Sequence, residues 1–145
     1  MELIVLKGKE NTGKTTTINY VCNKLRGEGY IESSPKDFKD LGDVDFLTVL
    51  EKDGVKIGVV SQGDEADKIP IYLKKLKEKD CQKVICALRK KIEKEVNLLE
   101  ISKNTILKEI EINKAKPNSF EQRKNVINGK VTEILNYLKD SLKTL

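Results

Sequence analysis

The amino-terminal part of the chain has a short apolar run followed by a helical repeat of hydrophobic residues. Leu3–Leu6 is a continuous apolar run whose length and Ile/Val content are typical of a buried strand. From Lys14 onwards hydrophobic residues recur at helical spacing, at Ile18, Val21, Cys22 and Leu25. Gly27 and Gly29 then supply a helix stop. The pattern predicts a strand, a glycine-containing loop and a helix, in that order.

Two β-rich runs in the middle of the chain flank a turn sequence. Residues 46–50 and 55–60 are rich in Val, Ile, Leu and Phe, and Lys52-Asp53-Gly54 lies between them. An Asp-Gly pair between such runs favours an antiparallel hairpin. Ile31 fits a short strand before the hairpin, and the second arm ends in the polar sequence Ser61-Gln62-Gly63-Asp64.

A helix and another buried strand are predicted after the hairpin. Asp67 suits a helix N-cap and Pro70 suits a first turn. The apolar face of this helix consists of Ile69, Tyr72, Leu73 and Leu76. Residues 83–88 (KVICAL) are a short apolar run and predict a strand.

Two interpretations remain open between this strand and Pro117. Residues 89–101 have helical spacing, at Leu88, Ile92, Val96 and Leu99. Residues 106–112 fit either a continuation of that helix or a strand with one face formed by Ile106, Ile110 and Ile112. We favour the strand.

The last predicted helix starts just after Pro117. A capping box is available as Asn118 with Glu121, or as Ser119 with Gln122. The helix is expected to run to about Leu142 on an apolar face of Val131, Ile134, Leu135, Leu138 and Leu142.

The alternation of strands and helices predicts the fold class. It indicates an α/β, three-layer, mostly parallel sheet with one antiparallel hairpin strand and flanking helices. A length of 145 residues suits one domain over 1–145, with a Lys-rich, partly helical carboxyl-terminal part from about residue 89.

Composition excludes several classes of protein. No apolar run approaches the roughly 20 residues that span a bilayer, and the charged amino terminus does not resemble a signal peptide. The chain has no histidine, which removes imidazole catalysis and histidine metal sites. Three cysteines without paired spacing favour a reduced, cytoplasmic location. No membrane partner is expected, because a spanning apolar run is missing.

The positive charge lies in the second part of the chain. Residues 1–88 contain 15 basic and 15 acidic side chains, whereas residues 89–145 contain 13 basic and 8 acidic ones, which accounts for the net charge of +5. An acidic protein or a nucleic acid is therefore a candidate partner for this part. A solvated, Lys-rich surface is the alternative.

One motif carries recognisable chemistry. Residues Gly8 to Thr15 (GKENTGKT) fit G-x-x-x-x-G-K-[ST], between a predicted strand and a predicted helix. Gly8 allows a sharp exit from the strand, and Gly13 lets the backbone approach a phosphate closely. The amides of residues 11–16 lie near a helix N-terminus, where an anion is favoured. Lys14 offers a positive charge, and the alternative is an ordinary glycine turn with a solvated lysine.

This motif resembles the Walker A motif of the P-loop NTPases, and the resemblance extends over residues 3–26. The resemblance implies a Mg²⁺-bound nucleoside triphosphate and its hydrolysis or phosphoryl transfer. It implies that Lys14 stabilises phosphate charge during catalysis and that the Thr15 hydroxyl binds Mg²⁺. The implied phosphate-binding residues are Gly8, Asn11, Thr12, Gly13, Lys14, Thr15 and Thr16.

The resemblance also implies an acidic metal ligand after a neighbouring strand. Asp64 follows the apolar run 55–60 and is the candidate for a metal and catalytic role, although it comes later than usual, after Ser-Gln-Gly. A helix N-cap is the alternative role for Asp64. Asp37, Asp43 and Asp45 are more simply explained as loop carboxylates, as is Glu10 at the tip of the motif.

Arg89 follows the strand 83–88 and is the third catalytic candidate. Ligands of open α/β sheets bind at the carboxyl ends of the strands, which would bring Arg89 near phosphate or substrate. A solvated arginine in the first turn of a helix is the alternative.

The reaction class is left open by the sequence. The guanine-reading Asn-Lys-x-Asp is absent after the strand 83–88, where Ala87-Leu88-Arg89-Lys90 stands, so ATP is the expected nucleotide. We expect a small Mg²⁺-dependent phosphohydrolase or kinase-like phosphotransferase. A nucleotide-dependent switch with little turnover and a nucleic-acid-associated ATPase are the alternatives.

Overall fold

A computed structural model of the chain describes residues 2–9, 12–33, 47–60, 69–89, 106–113 and 119–142. These residues form six strands and three helices. The strands are β1 (Glu2–Gly8), β2 (Ile31–Ser33), β3 (Leu47–Lys52), β4 (Val55–Val60), β5 (Lys83–Arg89) and β6 (Ile106–Glu111). The helices are α1 (Lys14–Gly27), α2 (Ile69–Glu78) and α3 (Phe120–Leu142).

All six strands belong to one sheet, in the order β2-β3-β4-β5-β1-β6. β1 lies between β5 and β6 and is parallel to both, and β4 is parallel to β5. β3 alone runs in the opposite direction among these strands, so its pairings with β2 and β4 are antiparallel. The expected α/β class, the mostly parallel sheet and the single antiparallel hairpin strand are confirmed.

Helices cover both faces of the sheet. On one face, α2 packs Tyr72, Leu73 and Leu76 against alternate residues of β1, β3 and β5. On the other face, α1 and α3 pack side by side on a second cluster that includes Ile4 and Leu6. Because both faces of β1 are covered, its four residues from Leu3 to Leu6 are fully buried, which explains their unbroken apolar run.

Local turn chemistry explains several element boundaries. Asp53 and Gly54 both have positive φ, 51° and 81°, as the tight turn between β3 and β4 requires. Gly29, at φ 103°, ends α1: its amide donates to the Arg26 carbonyl, and the next amide donates to the Leu25 carbonyl.

The two open interpretations at the carboxyl-terminal end are resolved for the described residues. Ile106–Glu111 is a strand, because it pairs with β1 and buries Ile110 on the sheet face. The amide of Gln122 donates to the Ser119 hydroxyl at 3.2 Å, so Ser119 caps α3. The expected N-cap at Asp67, the helix over 89–101 and the break at Pro117 lie outside the described residues.

A buried ion pair joins three elements at the amino end of the sheet. Glu2 of β1 pairs with Lys83 of β5 and accepts a hydrogen bond from the Tyr137 hydroxyl of α3. Burial and this hydrogen bond raise the pKa of Tyr137 to about 12. The cluster ties α3 to the sheet far from the carboxyl ends of the parallel strands.

None of the described helices is long and apolar enough to cross a membrane.

Removal of Lys83 and removal of Lys130 should lower the free energy of unfolding by unequal amounts. Lys83→Met removes the Lys83–Glu2 ion pair from a site where the Lys83 side chain is 3% exposed. We expect the free energy of unfolding to fall by about 3 kcal/mol. Lys130→Met removes the exposed Lys130–Glu133 pair, at 3.3 Å, and should cost less than about 1 kcal/mol. Urea unfolding followed by circular dichroism measures both, and equal losses would contradict this account of the cluster.

Candidate functional site

The backbone that leaves the centre of the sheet leads directly into the N-terminus of α1. Gly8 is the last residue of β1, and Lys14 is the first residue of α1. We call residues 8–14 the glycine loop, of which residues 8, 9 and 12–14 are described. The loop therefore lies at the carboxyl end of a parallel strand that has parallel neighbours on both sides, which is where ligands of α/β sheets bind.

Gly13 gives the N-terminus of α1 an open, electropositive character. It is the N-cap residue, at φ 95° and ψ 23°, a left-handed conformation that glycine adopts readily. Having no side chain, it places no capping oxygen over the first amides of the helix, and the first turn contains no acidic residue. No carboxylate within the first turn of α1 therefore offsets the helix dipole at this end, which favours an external anion.

The Lys14 ammonium folds back over the glycine loop. Its Nζ donates hydrogen bonds to the carbonyl oxygens of Gly8, at 3.0 Å, and Lys9, at 2.8 Å. The charge is therefore held beside the N-terminus of α1, and the side chain is half-buried. The Lys14 ammonium and the N-terminus of α1 therefore both add positive potential at the glycine loop.

Two threonine hydroxyls stabilise the loop. The buried Thr12 donates to the Lys9 carbonyl at 2.8 Å, and Thr17 donates to the Gly13 carbonyl at 2.7 Å. Thr12 is among the residues whose backbone amides are expected to face phosphate, and its hydroxyl is engaged within the loop. Thr15 is half-buried and Thr16 is exposed at the start of α1.

Residues from the carboxyl-terminal part of the chain support both glycines. A Cβ atom on Gly8 would lie 2.5 Å from the Ile112 carbonyl oxygen. A Cβ atom on Gly13 would lie 2.9 Å from Cδ1 of Ile127. Sequence reasoning did not identify Ile112 or Ile127 as supports. For Ile127 a signal was present, because it precedes Val131 by four residues and extends the apolar face of α3 by one turn.

The backbone brings Arg89 beside the glycine loop. Arg89 is the last residue of β5 and pairs in register with Gly8. Its side chain is not among those described. Asn11, Asp64 and the loop carboxylates Asp37, Asp43, Asp45 and Glu10 also lie outside the described residues.

One candidate ligand for the expected magnesium ion lies among the described residues. Mg²⁺ prefers a few oxygen ligands and keeps several waters, and the Thr15 hydroxyl at the start of α1 is a suitable donor. Within the described ranges no three Cys, Asp or Glu side chains form a metal-binding group. The second expected ligand, Asp64, is outside those ranges, so the donor set remains a prediction.

The three cysteines are unsuited to nucleophilic chemistry. All are buried and not in disulfides. Burial raises the pKa of Cys22 and Cys86 to about 12 and that of Cys81 to about 11. Since the thiolate is the reactive form, these thiols act as small apolar core residues at neutral pH.

The described part of the basic region does not form a strongly basic face. α3 contains four cations, Arg123, Lys124, Lys130 and Lys139, and three acids, Glu121, Glu133 and Asp140. Two of these cations form ion pairs, Lys130 with Glu133 at 3.3 Å and Lys139 with Glu28 at 3.1 Å. An acidic or nucleic-acid partner remains a prediction.

Comparison with known proteins gave no match: neither a protein-family model, nor a curated protein, nor a solved structure matches the chain.

The tight packing at Gly8 predicts a large effect of adding one methyl group. In Gly8→Ala the new Cβ atom would collide with the backbone carbonyl of Ile112. The backbone of Ile112 cannot move away easily, because its amide donates a hydrogen bond to the Lys7 carbonyl at 2.9 Å. We expect a loss of about 2–3 kcal/mol in the free energy of unfolding, measured by urea denaturation. Gly27→Ala is the matched control, because nothing lies within 4 Å of its added Cβ. It should be neutral or stabilising by up to about 1 kcal/mol, and a similar loss in both variants would refute the packing argument.

Proposed function

We propose that the chain binds a Mg²⁺-bound nucleoside triphosphate, with ATP as the expected nucleotide, at the glycine loop and hydrolyses it or transfers its terminal phosphoryl group. One observation carries the proposal. The loop joins the central parallel strand to a helix N-terminus, with Gly13 in the left-handed conformation and the Lys14 ammonium folded over the loop. These are the features that the G-x-x-x-x-G-K-[ST] pattern needs to hold phosphate.

Phosphate binding would use groups that are already positioned. The first amides of α1 and its dipole would face the phosphate oxygens. Lys14 would exchange the Gly8 and Lys9 carbonyls for phosphate oxygens, which form stronger, charge-assisted hydrogen bonds. Because the loop is held by Thr12 and Thr17, little reorganisation would be required.

Strand register supports a role for Arg89. Its backbone position beside Gly8 is fixed by the pairing of β5 with β1. An arginine at that level is within reach of the terminal phosphate, where it would stabilise charge that develops in the transition state.

Strand register supports Asp64 as the acidic ligand despite its late position in the sequence. β4 ends at Val60, which is level with Cys86 of β5 and, through it, with Val5 of β1. Val60 therefore lies three residues before the level of Gly8 along the strand direction and two strands away across the sheet. The distance between the two residues is roughly 14 Å. The four residues from Val60 to Asp64 can span up to about 14 Å. An acid placed directly on the end of β4 would fall short, so Asp64 is the proposed second Mg²⁺ ligand beside Thr15.

In the proposed reaction, catalysis is positioning and electrostatic stabilisation. Mg²⁺ would neutralise charge on the β- and γ-phosphate oxygens. Lys14 and the loop amides would hold the phosphates in line with water or a hydroxyl acceptor, with Arg89 adding positive charge.

A nucleotide-dependent switch is the second candidate. The contact between Gly13 and Ile127 favours it, because a shift of the loop upon nucleotide binding would displace the Ile127 side chain and with it α3. A switch would bind nucleotide with the same residues and turn it over slowly.

Substitution of Lys14 tests the proposal. Wild-type protein should bind ATP in a Mg²⁺-dependent manner in calorimetric titrations, and chelating the metal should weaken binding. Lys14→Ala should bind MgATP about 10- to 150-fold more weakly, because hydrogen bonds to a charged group contribute roughly 1.5–3 kcal/mol.

Lys24→Ala is the matched control, because Lys24 is exposed in the last turn of the same helix. Its affinity should equal that of the wild type. Titration of GTP and ADP gives base and phosphate preference, and phosphate release separates an enzyme from a switch. Absence of nucleotide binding by the wild type would refute the proposal.

A further inference from the structure

The apolar face of α3 continues past the point where the helix meets the glycine loop. Val131, Ile134 and Leu138 are buried on the α1 side of the sheet, and Ile127 contacts Gly13. At 100° per residue these four side chains lie within a narrow stripe along the helix. We call this stripe, with its extension towards the start of α3, the α3 seam.

Phe120 is the first residue of α3 and lies on the same seam. Seven residues separate it from Ile127, which places the two side chains within about 20° of each other around the axis and about 10 Å apart along it. Ile127 is already level with Gly13, so Phe120 projects beyond the N-terminus of α1, on the side where the sheet strands end. Yet its side chain is 78% exposed. Its position in line with the glycine loop, rather than its exposure alone, distinguishes Phe120 from other exposed apolar residues such as Ile31.

We propose that Phe120 is the stacking platform for the base of the nucleotide bound at the glycine loop. This inference rests on the proposed function, because it takes the position of the phosphates from it. With the β- and γ-phosphates at Gly13 and Lys14, the α-phosphate and the ribose lie between them and the base, and together they span a length comparable with the ~10 Å between Ile127 and Phe120. The base is the apolar, planar part of the ligand and matches a phenyl ring in shape.

The surroundings of Phe120 suit a nucleotide. Arg123 and Lys124 lie one turn along the helix, on either side of the seam, and both are exposed. They place positive charge between the platform and the loop, where the α-phosphate and ribose would pass. A phenyl ring stacks on any base, so this contact adds affinity without selecting between adenine and guanine.

A tryptophan substitution reports the contact directly. The chain contains no tryptophan, so Phe120→Trp creates a single fluorophore at the platform that can be excited apart from the four tyrosines. We expect MgATP to quench its emission, because the indole would stack on the base. Magnesium tripolyphosphate, which carries no base, should leave the emission nearly unchanged. Ile31→Trp is the matched control: Ile31 is 72% exposed at the far edge of the sheet, on β2, and should not respond to either ligand.

Affinity measurements separate this inference from the function on which it rests. Phe120→Ala should bind MgATP about 5- to 150-fold more weakly, the range found when a stacking aromatic is replaced by alanine. It should bind magnesium tripolyphosphate as tightly as the wild type, whereas Lys14→Ala should lose affinity for both ligands.

If Phe120→Ala binds MgATP like the wild type while Lys14→Ala does not, the platform is refuted and the nucleotide site stands. If Phe120→Ala loses affinity for both ligands equally, Phe120 supports the fold of the loop and the platform is again refuted. If the wild type binds neither ligand, the proposed function and the platform both fail.

Discussion

The close approach of backbone and side chains at two glycines determines where the glycine loop lies. A Cβ atom on Gly8 would collide with the backbone carbonyl of Ile112, and a Cβ atom on Gly13 would press against the Ile127 side chain. Gly13 also has a positive φ of 95°. Ile112 follows β6 and Ile127 belongs to α3, so the last part of the chain fixes a loop formed by its beginning. The phosphate-binding proposal depends on this constraint, because amides can act together on an anion only when their directions are held.

The rest of the sheet supports the same constraint. β1 is buried on both faces and hydrogen-bonded to parallel strands on both edges, so its carboxyl end is a rigid base for the loop. The ion pair of Glu2 with Lys83, with the Tyr137 hydroxyl bound to it, anchors the opposite end of the same strand to α3. α3 is thus attached to β1 at one end and contacts the loop at the other. Its position relative to the loop is therefore held at both ends.

Features encoded by neighbouring residues were predictable from the sequence, and features made by distant residues were not. The hairpin turn at Asp53-Gly54 and the start and end of α1 follow from local propensity, because glycine and aspartate tolerate the positive φ that these turns need. The placement of β6 beside β1 joins residues about a hundred positions apart, and no local pattern carries it. The contact of Ile127 with Gly13 also joins residues more than a hundred positions apart. In the candidate site, Gly8, Gly13 and Lys14 were predicted from the spacing of the motif, whereas the hydrogen bond of the Thr12 hydroxyl depends on how the loop closes.

The most direct test of the central claim maps where MgATP binds on the full chain. Backbone amide chemical shifts of isotopically labelled protein would be compared with and without MgATP. The account predicts that the largest changes occur at Gly8 and at Gly13 to Thr17, with little change at Glu2 and Gln82 at the opposite end of the sheet. Changes concentrated away from the glycine loop, or no change at saturating MgATP, would contradict it.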